Sequence, residues 1–224
     1  MIDRSFRLAV PLLMALHLLT IAPAADARRP TLLQRLREWI GLNPRQAVGG
    51  SRGESATTVC LITPRLEASP KASAPASPPT ALVNLPRPTL LAAGELNEIR
   101  LEENGRLLWQ QRASSTTPIS GQIPWPIAPL TPGQEVLLRL RPRGAAGADF
   151  ATITLRAAPA AQQQTALALL ADPSARLNTI ESTARSGRSA LASELVFAHL
   201  AKVPADLDTL RQELVSAGCS NSRR

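Results

Sequence analysis

The spacing of apolar residues changes near Pro159, and this change constrains the fold more than any other feature of the chain. Before it, between residues 81 and 156, short runs alternate apolar and polar side chains, which is typical of strands with one buried face. After it, apolar residues recur every three or four positions, which is typical of amphipathic helices. The sequence therefore predicts a β-rich region followed by a helical region.

The β-rich region is predicted to contain seven or eight short strands and at least two tight turns. Asn104-Gly105 predicts a type I′ hairpin, because both central residues of that turn need a positive φ, and Pro132-Gly133 predicts another turn. So many short strands predict an antiparallel immunoglobulin-like β-sandwich, in a mainly β fold with a small C-terminal α-helical region. The predicted strands are residues 58–64, 81–85, 89–93, 96–102, 106–112, 122–125, 135–141 and 150–156.

Strict alternation over residues 135–141 separates the two faces of one strand. Its apolar residues at 136, 138 and 140 would face a core, whereas Glu135, Arg139 and Arg141 would lie on the opposite face. We expect that opposite face to be a solvated sheet surface.

The helical region is predicted as four helices, separated by breaks at Asp172-Pro173, Gly187 and Pro204. They form either a small cap on the sandwich or a partner-binding helical module. His199 falls within the third helix, where we expect a partly buried structural histidine rather than a ligand. The predicted helices are residues 162–171, 174–185, 189–202 and 206–217.

Residues 1–27 have the pattern of a secretory signal peptide. A start with two arginines precedes an apolar run, and small residues then offer cleavage after Ala24 or Ala27. The alternative is an uncleaved anchor, because the apolar residues 8–25 approach the length that spans a bilayer. Export predicts a periplasmic or extracellular protein, either free or associated with a membrane. It also argues against nucleic acid as a partner, despite the net charge of +8.

Most of the net charge lies just after this segment. Residues 28–52 contain six arginines and one glutamate, which is five of the eight net charges. Apolar residues of the stretch 28–42 share one helical face, so this basic helix either lies on an anionic membrane surface, as in a peripheral membrane protein, or packs on the main domain. The residues that would contact the membrane are Arg28, Arg29, Arg35, Arg37 and Trp39.

Several short motifs together are similar to one known family. They are Gly49-Gly-Ser-Arg-Gly53, Cys60-Leu-Ile-Thr-Pro64, Leu85-Pro-Arg-Pro-Thr89, the Asn-Gly hairpin and Leu130-Thr-Pro-Gly-Gln134. Over about residues 49–157 the chain resembles the cyanobacterial secreted family called domain of unknown function nine-two-eight. It departs from that family at residues 90–93, where an aromatic strand is expected, and in its tail, which lacks a Trp-Tyr-Asp cluster. The resemblance implies an exported protein built of a sandwich and helices, and it supplies no catalytic residues.

Two cysteines give a further constraint. Cys60 lies on the first predicted strand and Cys219 follows the last predicted helix. In an exported chain this pair predicts a Cys60–Cys219 disulfide that ties the helical region to the sandwich. The alternative is that both thiols are unpaired.

Few residues are available for catalysis. Gly49-Gly-Ser-Arg-Gly53 matches the pattern of a nucleophile elbow, but its flanking residues form neither a good strand nor a helix, and the only available base is His199. Export leaves one histidine, which is too few for a zinc site, and no phosphate-binding glycine loop is present. We therefore expect no catalytic residues, no metal and no cofactor. The alternative is a hydrolase that uses Ser51 with His199, or an unrecognised pair of carboxylates.

The sequence thus predicts an exported, non-enzymatic envelope or periplasmic protein that binds a protein or an envelope polymer. Its oligomeric state stays open. The predicted organisation is a signal peptide at 1–27, a basic amphipathic helix with a glycine-rich connector at 28–52, a β-sandwich domain at 53–157 with a Pro/Ala/Ser-rich loop at 67–80, and an α-helical tail at 158–224.

Overall fold

A computed structural model of the chain describes residues 34, 35, 38, 46–49, 57–67 and 78–217. The strands are β1 (Gln46–Gly49), β2 (Thr57–Thr63), β3 (Thr80–Val83), β4 (Leu91–Ala92), β5 (Leu96–Glu103), β6 (Arg106–Arg112), β7 (Glu135–Pro142) and β8 (Ala151–Ala157). The helices are α1 (Ala160–Leu170), α2 (Arg176–Arg185), α3 (Ser189–Phe197) and α4 (Ala205–Ala217).

The strands form two sheets. β2 pairs antiparallel with β1 on one side and with β4 on the other. The remaining strands form a five-stranded sheet in the order β3-β8-β7-β5-β6. Within it β3 runs parallel to β8, and the other neighbours are antiparallel. The strand predicted at 122–125 is reduced to one bridge between Ile123 and Leu90.

The fold is mixed α/β, so the prediction of a mainly β, antiparallel immunoglobulin-like sandwich is wrong. β3 pairs in parallel with β8, from Thr80 opposite Thr154 to Val83 opposite Ala157. The helices also share a buried core with β2 and β4, so they are part of the packing and not a small appendage. Alternation has the same period in parallel and antiparallel strands, and it therefore identifies a strand without identifying its neighbour or direction.

The first hydrophobic core lies on the inner face of the five-stranded sheet. The three predicted core residues of β7 are confirmed there, because Val136, Leu138 and Leu140 are buried. Ile99 and Leu101 of the neighbouring strand β5 lie opposite Leu140 and Leu138 and are fully buried with them. Their removal from water is the main stabilising contribution of this sheet.

The β5–β6 connection is the hairpin that the Asn-Gly pair predicts. Asn104 has φ of 49° and Gly105 has φ of 77°, so both central residues are in the left-handed region. The turn fixes the pairing of the two strands, with Glu103 opposite Arg106. The register of β6 on β5 is therefore set locally.

The second core joins the helices to the three-stranded sheet. Phe197 and Leu195 of α3 are fully buried, and α2 and α4 contribute Ile180 and Leu210. The β-rich region contributes Ile62, Leu85 and Leu91 to the same cluster. The helical region is therefore fixed to the sheets by a shared apolar core.

The third helix is shorter than the predicted 189–202, because α3 ends at Phe197 and Ala198 has an extended ψ of 142°. Arg211 of α4 lies at this end. Its Nε donates to the carbonyl of Val196 at 2.7 Å, and its Nη2 donates to the carbonyl of Ala198 at 2.8 Å. The buried guanidinium thus satisfies carbonyl groups that the helix end leaves free.

Replacement of this arginine should destabilise the fold, whereas replacement of a second buried arginine should not. We expect Arg211→Met to lower the free energy of unfolding by about 2 kcal/mol, because two charge-assisted hydrogen bonds are lost. Arg176 of α2 is 2% exposed and makes one hydrogen bond, from Nη2 to the carbonyl of Leu170 at 3.2 Å, whereas its Nε and Nη1 have no hydrogen-bond partner in the described part of the chain. Arg176→Met should therefore change stability by less than about 1 kcal/mol. Urea unfolding of both variants measures their free energies of unfolding. Equal decreases in Arg211→Met and Arg176→Met would contradict this prediction.

Cys60 lies on β2 and is disulfide-bonded. Cys219, the other cysteine of the sequence, lies outside the described residues. The Cys60–Cys219 pairing therefore stays a prediction.

Candidate functional site

Four arginines of β5, β6 and β7 lie together on the outer face of the five-stranded sheet, and we call this cluster the arginine face; Arg156 of β8 lies farther along the same face and pairs with Glu135. They are Arg100 on β5, Arg112 on β6, and Arg139 and Arg141 on β7. The strand pairing places Arg112 and Arg141 on either side of Glu98, and it places Arg100 opposite Arg139. Residues directly opposite on neighbouring strands share a face, so all four guanidinium groups belong to one surface.

Glu98 is the acidic centre of the arginine face, and its side chain is only 2% exposed. Its carboxylate accepts hydrogen bonds from Arg100 Nε at 2.7 Å and from Gln110 Nε2, and it lies 2.6 Å from Arg141 Nη2 and 3.5 Å from Arg112 Nε. Burial raises the pKa of Glu98, but the hydrogen bonds from Arg100 and Gln110 and the charges of Arg100 and Arg141 outweigh it. The pKa therefore lies below its ordinary value, and the carboxylate is ionised at neutral pH.

Phe150, just before β8, holds three of the arginines in place. The guanidinium carbons of Arg100, Arg139 and Arg141 lie 4.7, 5.2 and 5.6 Å from the centre of its ring. A cation at this distance from an aromatic ring is attracted to it. The ring therefore brings three guanidinium groups close together, and it leaves their positive charges unneutralised.

The arginine face keeps a surplus of positive charge. Four arginines face two glutamates, Glu98 and Glu102, which leaves a net charge of +2. Arg100 and Arg139 are direct cross-strand neighbours, and like charges at such positions destabilise a sheet. Arg139 Nη1 is 3.3 Å from Glu102. Planar guanidinium groups with free N–H donors suit carboxylate, phosphate or sulfate groups.

The solvated surface expected for the outer face of β7 is thus a packed cluster of ion pairs. Arg141 is only 20% exposed, and Arg139 is 35% exposed. Sequence reasoning missed Glu98 and Phe150, which bring these arginines together. The pattern of alternation contained one signal for Glu98, because it falls on the outer face of β5 with Arg100.

A pocket of about 380 Å³ lies where the loop after β3, the loop between β6 and β7, and the segment after α3 meet. We call it the junction pocket. It brings together residues that are far apart in the sequence, and two of them are basic or ionisable. Its lining includes Arg87, Thr89, Gln122, Pro124, Trp125 and His199.

Hydrogen bonds hold the walls of the junction pocket. Thr89 Oγ1 donates to the carbonyl of Phe197 at 2.8 Å, which links the loop after β3 to the end of α3. Trp125 Nε1 donates to the carbonyl of Ala128 at 2.8 Å, which fixes the indole ring. The pocket is therefore preformed rather than shaped by an incoming ligand.

Glu194 of α3 fixes the start of the loop after β3, which forms one wall of the junction pocket. It is fully buried, and its carboxylate accepts hydrogen bonds from the backbone N–H of Asn84 at 3.0 Å, from Asn84 Nδ2 at 2.8 Å and from the backbone N–H of Leu85 at 2.8 Å. Burial raises the pKa of Glu194 to about 7, because these hydrogen bonds only partly offset the loss of hydration. The Glu194 carboxyl group therefore changes its protonation state near neutral pH.

His199 is exposed and follows α3, where it lines the junction pocket, in contrast to the partly buried helical position expected for it. Arg35 is half-buried and helical, and Gln34 and Glu38 are helical too. Because Ser51 and most residues of the basic helix lie outside the described residues, the Ser51–His199 hydrolase and the membrane-binding helix stay predictions. The other predicted site residues lie outside the described residues: Arg28, Arg29, Arg37, Trp39, Ser51 and Cys219.

Two negative findings apply to the described ranges. No three His, Cys, Asp or Glu side chains come together there as a candidate metal site. In the same part of the chain, the helices are too short or too polar to cross a membrane.

Comparison with family models, with curated proteins and with solved structures found no match for this chain. The resemblance to the domain of unknown function nine-two-eight therefore stays a prediction.

Proposed function

We propose that the protein is an exported, non-enzymatic binding module of the periplasm or envelope, and that it attaches to an acidic polysaccharide through the arginine face. The observation that carries this proposal is the direct opposition of Arg100 and Arg139 on neighbouring strands. Like charges at such positions repel each other, and Glu98 and Glu102 offset this repulsion only in part, so a bound carboxylate between the two guanidinium groups would reduce it further.

The geometry of the face suits a polymer better than a single ion. Its arginines lie on three neighbouring strands, β6, β5 and β7. Adjacent strands are about 4.8 Å apart, so a chain that crosses them meets successive guanidinium groups. Arg112 is 66% exposed and lies on β6, the edge strand of the sheet. A polymer with regularly spaced carboxylates can therefore make several ion pairs at once.

The predicted compartment favours the same partner. A signal peptide at residues 1–27 would deliver the chain to the space where acidic polysaccharides of the envelope are found. Binding of a protein partner, the other interpretation of the sequence, has less support, because the outer sheet face is dominated by charge and large exposed apolar groups on it are few among the described residues.

Polysaccharide binding should depend on arginines of this face and not on the overall charge. We expect the full-length protein to bind polygalacturonate in a surface-based binding assay, and added salt should weaken binding. The double variant Arg112→Gln/Arg139→Gln should bind about tenfold more weakly, because the charge contacts of one exposed and one half-buried arginine are lost. Dextran, which is uncharged, should not bind.

The matched control removes the same charge from the helical region. Arg185→Gln/Arg188→Gln replaces two exposed arginines of α2 and of the segment before α3, and it should bind as the unaltered protein does. Equal losses in both double variants would show that only net charge matters. No binding to polygalacturonate, or equal binding to dextran, would overturn the proposal.

A further inference from the structure

We propose that the junction pocket is a second binding site, which takes a single acidic sugar unit and holds its carboxylate on Arg87. This inference goes beyond polymer attachment, because the pocket is built from the loop after β3, the β6–β7 loop and the end of α3, whereas the arginine face is built from strands. The two sites share no residue, so each can be altered without the other.

Arg87 supplies a positive charge to the junction pocket. It is exposed, and it has no ion pair with any described residue. Pro86 and Pro88 lie on either side of it, and proline fixes its own φ and restricts the residue before it. The backbone that carries Arg87 is therefore restricted, and its planar guanidinium fork can hold a carboxylate through two parallel hydrogen bonds.

The other walls suit the ring of a sugar. Pro124 gives an exposed apolar surface for the C–H face of the ring, whereas Trp125 is only 7% exposed, packs in the first core and presents just the edge of its indole. The hydrogen bond from Trp125 Nε1 to Ala128 holds that edge in position. Gln122 and Thr89 offer polar atoms for hydroxyl groups. A few polar groups around an apolar wall, in a preformed volume of about 380 Å³, are the usual composition of a small-molecule site.

His199 closes the side of the pocket that belongs to the helical region. It can accept or donate a hydrogen bond to a hydroxyl group. The positive charge of Arg87 favours an acidic sugar over a neutral one. A uronic acid such as glucuronate has the carboxylate, the ring and the hydroxyl groups that these walls match.

Isothermal titration of the full-length protein with D-glucuronate tests this inference. We expect glucuronate to bind, D-glucose to bind at least about tenfold more weakly, and acetate to bind more weakly than glucuronate because it lacks the ring. Arg87→Gln should lower the affinity for glucuronate about tenfold or more. Arg106→Gln, an exposed arginine at the start of β6 outside the pocket, should leave it unchanged.

Three results would overturn the inference: no binding of glucuronate, equal binding by Arg87→Gln, or acetate binding as tight as glucuronate. The Arg112→Gln/Arg139→Gln variant separates this site from the arginine face. This variant should keep its affinity for glucuronate, whereas its affinity for polygalacturonate should fall. If polygalacturonate does not bind but glucuronate binds through Arg87, the polymer proposal alone fails.

Discussion

The free energy of unfolding should fall by about 3 kcal/mol as the pH rises from 4.5 to above 7, because of Glu194. In the folded protein burial raises the pKa of Glu194 from 4.5 to about 7. Below 4.5 the group is protonated in both states, so stability is at its full value. Between 4.5 and about 7 only the unfolded chain releases the proton, which favours unfolding. Above about 7 both states are ionised, and stability stays at its lower value.

Urea unfolding at about pH 5 and about pH 8 measures most of this loss, and Glu194→Gln is the matched variant, because its amide does not titrate. We compare the change between the two pH values, not the absolute stability, since the amide also alters the hydrogen bonds with Asn84 and Leu85. The variant should lose much less stability than the unaltered protein over this interval. Glu98 and Asp172 do not interfere, since both have lowered pKa values and their contributions are lost only as pH falls below this interval. An equal loss in both proteins would show that Glu194 is not the titrating group.

The strands could be predicted from the sequence because their signals are local. The run 106–112 matches β6 residue for residue, and the Asn104-Gly105 pair fixes its hairpin through two positive φ angles. The pairing of β3 with β8 could not be predicted, because these strands are about 70 residues apart and no local pattern records which strand lies beside which. That single parallel pair changes the fold class.

The sites were harder to predict than the strands, for the same reason. Leu96 and Ile99 are both buried although they are an odd number of residues apart, and the structure has a pairing irregularity between Leu96 and Glu98. Apolar residues out of phase in one strand are a sequence signal for such a bulge, and the bulge fixes which face Glu98 takes. The junction pocket has no comparable signal, because Arg87, Trp125 and His199 meet only through tertiary packing.

Glu98→Gln should have opposite effects on stability and on binding. The free energy of unfolding should fall by about 2 kcal/mol, because a nearly buried carboxylate that forms ion pairs with three arginines is lost. The loss is smaller than for a fully buried pair, since the arginines are 20 to 66% exposed and water screens them. Affinity for polygalacturonate should rise, by about threefold at low ionic strength, because the face gains one net positive charge.

Glu102→Gln is the control for this prediction, because it removes the same charge from the same strand. Glu102 contacts only Arg139 among the described ion pairs, at 3.3 Å, so its loss should cost less than about 1 kcal/mol of stability. It should raise the affinity for polygalacturonate to a similar degree. Thermal unfolding and the polymer assay, run on both variants, separate the two roles of the carboxylates. If Glu98→Gln weakens polygalacturonate binding while the protein remains folded, then Glu98 positions the arginines for the polymer, and its positioning role outweighs its competition for their charge.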